Sequence, residues 1–113
     1  KPKLVLDPWA AASMNSVLRS VIVSGTGKEA QIGRPAAGKT GTTSSERDVW
    51  FVGYVPQLSV AIWVGRDDNR RLAHGVTGGQ YAAPIWRNFM YRALDGVPVE
   101  YFRPPSDFKR PRR

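Results

Sequence analysis

The sequence predicts an α+β chain, an antiparallel sheet of about three strands flanked by helices, on three observations. Val49 to Val55 (V-W-F-V-G-Y-V) and Leu58 to Gly65 (L-S-V-A-I-W-V-G) are apolar runs separated only by Pro56-Gln57, which is hairpin spacing. Apolar residues at helical period precede this pair and follow it. Between the first helix and the hairpin, Lys39 to Thr43 (K-T-G-T-T) reads as a third strand.

The first helix opens with Asp7 as N-cap and Pro8 at the first helical position. Ala10, Ala11, Met14, Val17, Leu18, Val21 and Ile22 then mark one buried face, which ends at Gly25. Ser24 to Lys28 (S-G-T-G-K) breaks the helix, and a loop of small residues leads to the K-T-G stretch. Glu46-Arg47-Asp48 shapes the turn into the next strand. Because both hairpin runs are continuously apolar, they are expected in the middle of a sheet covered on both faces. Arg66 to Gly75 is polar and turn-rich. Thr77-Gly78-Gly79-Gln80 then has capping-box spacing before Tyr81, Ile85, Trp86, Phe89, Met90, Ala93 and Leu94. Pro84 falls in the first turn of this second helix, where a missing N–H does no harm, and Asp95-Gly96 ends it.

At 113 residues the chain is about one small domain, and four Trp with four Phe imply a packed interior. The absence of Cys excludes disulfides and Cys-ligated metal without fixing a compartment. No apolar run is long enough for a membrane span, and the start at Lys1-Pro2-Lys3 suggests a piece of a longer polypeptide. A formal charge of +8 raises nucleic acid as a partner. Its distribution argues against one, since Arg103, Lys109, Arg110, Arg112 and Arg113 face only Asp107 in a segment with three prolines. Residues 1–98 are therefore expected to be the folded portion and 99–113 a solvated, disordered basic tail.

Gly33 to Thr40 (G-R-P-A-A-G-K-T) also satisfies the phosphate-loop pattern G-x-x-x-x-G-K-[ST]. That loop needs a strand before it and a helix beginning at Lys-Thr, so that N–H groups and the helix dipole face the phosphates. Gly27 to Ile32 makes a poor buried strand, and Gly41 to Ser45 combines weak helix formers with β-branched residues. Read instead as an edge strand, the stretch puts Lys39, Gly41 and Thr43 on one face and Thr40 and Thr42 on the other. Gly41 then lets a ligand backbone approach closely.

The ordered blocks G-R-P-A-A-G-K-T-G-T-T, D-V-W-F-V-G-Y-V-P, W-V-G-R-D-D and T-G-G-Q-Y-A-A-P-I-W resemble the C-terminal part of the transpeptidase domain of class A penicillin-binding proteins, the bifunctional peptidoglycan synthases. The resemblance runs from about Val5 to Leu94, and the S-G-T-G ending of the first helix agrees with it. It implies an antiparallel sheet with helices on both sides, a β-lactamase-like fold in which the K-T-G strand walls the active-site cleft. It further implies a serine-type D,D-transpeptidase that cross-links peptidoglycan through an acyl-serine intermediate and is trapped by β-lactams, on the outer face of the bacterial cytoplasmic membrane. The implied partners are stem peptides ending in D-Ala-D-Ala and β-lactam antibiotics, with no cofactor, metal or nucleic acid.

Carried onto this chain, Lys39 is the cation for the substrate's terminal carboxylate, and Thr40 and Thr42 give it hydroxyls. Gly41 keeps the strand open to substrate. The Thr42 N–H is one of two oxyanion donors, so Lys39 and Thr42 carry the catalytic part. The family's S-x-x-K and S-x-N motifs are expected upstream of K-T-G, on a further part of the same protein, as are strands that pair beside Leu58 to Gly65. Ser106-Asp107-Phe108-Lys109 and Ser13-Met14-Asn15 match those motifs only in wording, since one lies in the tail and the other inside the first helix. The chain alone is thus expected to be inactive. A β-lactam-binding sensor or carboxypeptidase of the same fold is the alternative. His74 reads as a solvated loop residue, Asp67 and Asp68 as turn residues, and the four Trp as core.

Overall fold

The computed structural model describes residues 2–73 and 75–112, so His74 lies outside the described residues. Helix α1 (Pro8–Ser24) starts where the Asp7 carboxylate accepts the Ala10 N–H at 3.1 Å. It ends where the N–H groups of Gly25 and Gly27 both donate to the Val21 carbonyl at 3.0 Å. Only Ala12 and Ile22 on it are fully buried, whereas Met14 and Val17 are more than half exposed. The apolar face read from the sequence is therefore covered along only part of its width.

Three strands, β1 (Ala37–Thr42), β2 (Asp48–Val55) and β3 (Leu58–Gly65), form one antiparallel sheet in the order β1-β2-β3. Lys39 lies opposite Val52, Gly41 opposite Trp50, and Trp50 opposite Trp63. Strand β1 begins two residues earlier than the sequence suggests and stops at Thr42. Thr43 still donates its N–H to the Asp48 carbonyl at 3.0 Å, but its hydroxyl accepts from the N–H groups of Arg47 and Asp48, which turns the chain. Glu46 takes a left-handed φ of 54° to close that turn.

The second helix is entered through a wide π-type turn, Gly78–Ala82, with the Thr77 hydroxyl accepting the Gln80 N–H at 3.2 Å. Helix α2 (Ala83–Ala93) follows, with Pro84 in its first turn. Trp86, Met90 and Leu94 from this region meet Val49, Phe51 and Val55 of β2 in the core. Phe51 and Trp86 pack edge to face at 5.2 Å, and the Trp86 indole N–H donates to the Val60 carbonyl at 3.1 Å.

Burial of the hairpin on both faces is not what the chain provides. Val49, Phe51 and Val55 are buried, but Trp50, Val52 and Trp63 on the opposite face are 42%, 47% and 46% exposed. Ile22 of α1 and Trp86 and Met90 of α2 belong to the core over the first face, whereas on the second face Asn15 of α1 and Phe102 meet Tyr54 at the Ala37 end of the sheet.

Arg34, from the phosphate-loop-like stretch, ties the approach to β1 to the end of α2. Its guanidinium donates to the carbonyls of Val97 at 2.9 Å, Leu94 at 3.4 Å and Pro98 at 3.4 Å. The basic C-terminal segment is exposed along most of its length, yet three contacts lay it across the chain. Phe102 packs edge to face on Tyr54 at 5.6 Å, Phe108 lines a hollow with Leu4, Leu6 and Pro8, and Arg110 stacks over Trp9 at 5.4 Å.

Candidate functional site

The K-T-G residues lie on the free edge of the sheet, since β1 has β2 on one side only. In an antiparallel ladder successive residues point their N–H and C=O alternately toward and away from the partner. Thr43 donates to Asp48, so Gly41 and Lys39 also face β2, and the backbone groups of Thr40 and Thr42 point outward. The Thr42 N–H is therefore on the unpaired edge. No helix begins at Lys39-Thr40, which lie inside β1, and this removes the geometry a phosphate loop requires.

Lys39 belongs by alternation to the face of Trp50 and Val52. Its ammonium nevertheless reaches round the edge, donating to the Thr40 carbonyl at 3.0 Å and approaching the Thr40 hydroxyl at 3.5 Å. The Thr40 and Thr42 hydroxyls are on the other face, and each meets a loop brought there by a different part of the chain. Thr40 Oγ1 is 2.8 Å from Thr26 Oγ1, in the S-G-T-G loop after α1. Thr42 Oγ1 accepts the Gly78 N–H at 3.1 Å.

Glycines permit this convergence. A Cβ on Gly78 would lie 2.4 Å from the Trp50 carbonyl and 2.9 Å from the Gly41 carbonyl, and one on Gly79 would lie 2.3 Å from the Thr26 carbonyl. The T-G-G-Q turn thus rests directly on backbone of β1, β2 and the α1 loop. The three surround an open cleft of about 470 Å³ lined by Thr26, Thr40, Thr42, Gly78 and Gln80, with Lys28 and Glu29 at the α1 loop. Glu29 is held by Arg87 of α2 at 3.3 Å.

Two hydroxyls, an outward N–H and a nearby ammonium make a donor-rich surface suited to a carboxylate or an oxyanion. None of the side chains lining the cleft, among the described residues, is a serine or cysteine. The two motif look-alikes are engaged elsewhere. Asn15 accepts from the Tyr54 hydroxyl near the Ala37 end of the sheet, and Ser106 sits in a short 3-10 turn, Pro105–Asp107, of the exposed C-terminal segment. Asp68 pairs with Arg66 at 3.0 Å and Arg70 at 3.5 Å, and the Arg66 hydrogen bond holds its carboxyl below the usual range. It serves the turn after β3.

Sequence reasoning did not assign Thr26, Gly78 or Gly79 to the site. Their only signal was the unusual density of small residues in the S-G-T-G and T-G-G-Q blocks.

A three-stranded antiparallel sheet packed with helices, its K-T-G strand at the edge, defines an α+β chain with an open cleft beside a lysine ammonium. Residues 1–91 match the model of the penicillin binding protein transpeptidase domain, and the chain belongs to that family. It is 36% identical over 103 residues to penicillin-binding protein 1A of Neisseria lactamica, covering 89% of this chain and 13% of that protein. It is 38% identical over 92 residues to penicillin-binding protein 1A of Aquifex aeolicus, covering 80% of this chain and 13% of that protein. The crystal structure of penicillin-binding protein 1A from Haemophilus influenzae superposes with a TM-score of 0.72 at 35% identity, covering 80% of this chain and 15% of that one. The chain thus spans about an eighth of the length of the curated relatives it matches.

Proposed function

We propose that this chain forms the K-T-G wall of the active site of a peptidoglycan D,D-transpeptidase, a serine acyltransferase that β-lactams inhibit. The observation that carries the reading is the outward edge of β1, where the Thr42 N–H and the Thr40 and Thr42 hydroxyls face one cleft with the Lys39 ammonium beside them. The nucleophilic serine and its lysine come from an S-x-x-K motif outside these residues, and S-x-N from the same further part. The working site faces the outer side of the cytoplasmic membrane.

In this reading a stem peptide ending in D-Ala-D-Ala lies antiparallel to β1, with Gly41 allowing its backbone close. Its terminal carboxylate receives hydrogen bonds from the Thr40 and Thr42 hydroxyls and the field of Lys39. The serine oxygen gives its proton to the base and attacks the penultimate D-Ala carbonyl. The oxygen of the tetrahedral intermediate takes the negative charge and accepts from the Thr42 N–H, a donor worth about 2.7 to 4 kcal/mol in such sites. Collapse breaks the amide, D-Ala leaves with a proton, and an amine of a second stem peptide attacks the acyl-serine, giving up a proton as the ester breaks and the serine hydroxyl is restored. A β-lactam follows the first half and stays bound as the acyl-enzyme.

The whole gene product incubated with a fluorescent penicillin tests this. Covalent labelling that Lys39→Ala strongly slows supports the reading, and a product that takes no label refutes it. Supplying a stem peptide and an amine acceptor then separates a transpeptidase, which makes the cross-linked dimer, from a carboxypeptidase, which passes the acyl group to water and leaves the shortened peptide, and from a sensor, which makes neither product. Nucleotide binding dependent on Lys39, without labelling, would return the phosphate-loop reading.

A further inference from the structure

We infer that Thr26 is a positioning residue of this site, acting through Thr40 to aim the Thr40 hydroxyl at a ligand carboxylate. This rests on the transpeptidase reading. The Thr40 hydroxyl has one proton and two lone pairs. The Lys39 ammonium, which can only donate, approaches its oxygen at 3.5 Å, and Thr26 Oγ1 lies 2.8 Å away. When Thr26 donates, Thr40 accepts from two groups, and its single proton is left for the cleft. An anion there favours that arrangement, because a Thr26–Thr40–carboxylate chain runs from donor to acceptor in one direction and each hydrogen bond polarises the next.

The position of Thr26 is built into the fold. Gly25 and Gly27 both donate to the Val21 carbonyl, which fixes the loop to the last turn of α1. A Cβ on Gly27 would stand 3.2 Å from Phe51 and from Val21, so the loop lies tight on the core. From above, Gly79 rests on the Thr26 carbonyl. The backbone is held on both sides while the Thr26 side chain remains exposed, an arrangement that leaves the hydroxyl free to act without a packing role.

The effect should appear only with substrates that carry the carboxylate. The test measures the second-order acylation rate constant of the whole gene product with a penicillin and with its methyl ester. Thr26→Val is expected to slow acylation by the free acid about 3- to 10-fold, the range of one hydrogen bond, and to leave the ester unchanged. Thr26→Ser restores the rate. In a Thr40→Val background, Thr26→Val adds nothing, as coupled residues require. Equal slowing with acid and ester would reduce Thr26 to a structural role and overturn the inference. A further loss on top of Thr40→Val would mean that Thr26 contacts ligand itself, which also overturns it. Both results leave the transpeptidase reading standing. If the unsubstituted protein is acylated by neither compound, that reading falls and takes the inference with it.

Discussion

The Gly78 N–H donates to the Thr42 hydroxyl at 3.1 Å, joining two residues 36 positions apart. Because Thr42 accepts there, its own proton is directed elsewhere, and the cleft is where it points usefully. Gly78→Ala should break this link, since a Cβ would lie 2.4 Å from the Trp50 carbonyl and backbone cannot yield as a flexible side chain does. The expected cost is about 1 to 3 kcal/mol in urea unfolding, with slower penicillin acylation. A variant with the parental unfolding midpoint and acylation rate would show that the turn does not bear on β1.

Lys39→Ala should slow acylation of the whole gene product by about 10- to 100-fold, the range for a hydrogen bond to a charged group. Lys39 is exposed and lies on an edge strand, so the fold should survive, as circular dichroism would show. Acylation at the parent rate would remove Lys39 from the site. Thr42→Val differs in kind, because it deletes the hydroxyl and keeps the outward N–H. Its penalty should therefore be smaller than that of losing an oxyanion donor.

Arg34→Met should destabilise the chain by about 1.5 to 3 kcal/mol, because the carbonyls of Leu94 and Val97 lose a charged donor at the end of α2. Hydrogen exchange should rise in residues 94–98 and around Ala36. If exchange there were unchanged, the three contacts would be surface ornament rather than a tie between β1 and α2.

Burial raises the pKa of the Tyr54 phenol above its ordinary value of 10.0. The folded form therefore keeps its proton at a pH where the unfolded chain has lost it. The associated stability is fully present below pH 10 and is lost as pH rises through the folded Tyr54 pKa. In the difference between the tyrosinate absorbance of the parent and that of Tyr54→Phe, the Tyr54 step should fall above pH 10.0. A Tyr54 step at or below the ordinary phenol value would contradict it.

The helix start at Pro8, the Thr77 cap, the Pro56-Gln57 hairpin and the K-T-G strand were legible because each is set by local chemistry, an N-cap, a turn or a period of two, whereas the π-type turn that delays α2 to Ala83 was not. Continuous apolarity in Val49 to Val55 was also legible, but it does not say what covers each face. Trp50 and Val52 look the same in sequence as Phe51, and only their surroundings separate them. The ties from Arg34 to Val97 and from Thr26 to Thr40 and Gly79 were invisible for another reason. They depend on where loops distant in sequence meet, and neither Arg nor Thr carries a signature for that.

Trp50, Val52 and Trp63 sit next to one another on one face of the sheet, with Lys39 as their charged neighbour in register with Val52. Strand β3 has a neighbour on one side only, so it presents unpaired backbone groups along Leu58–Gly65. Tyr81, Ile85 and Phe89, four residues apart on and before α2, add a second half-exposed apolar row. Contiguous apolar surface of this kind, next to an open strand edge, is what folded monomers avoid and what association covers. The isolated chain should therefore bind a hydrophobic dye, elute from gel filtration at a size that grows with concentration, and exchange β3 amides fast when dilute. Trp63→Lys should shift it toward monomer by charging the face from β3, a strand that does not pair with the K-T-G edge. The isolated chain should also form no covalent penicillin adduct, since no serine or cysteine lines its cleft among the described residues. A dye-silent monomer with slowly exchanging β3 amides would mean that the face and edge are satisfied within these residues, and a stable penicillin adduct would mean that the nucleophile is too.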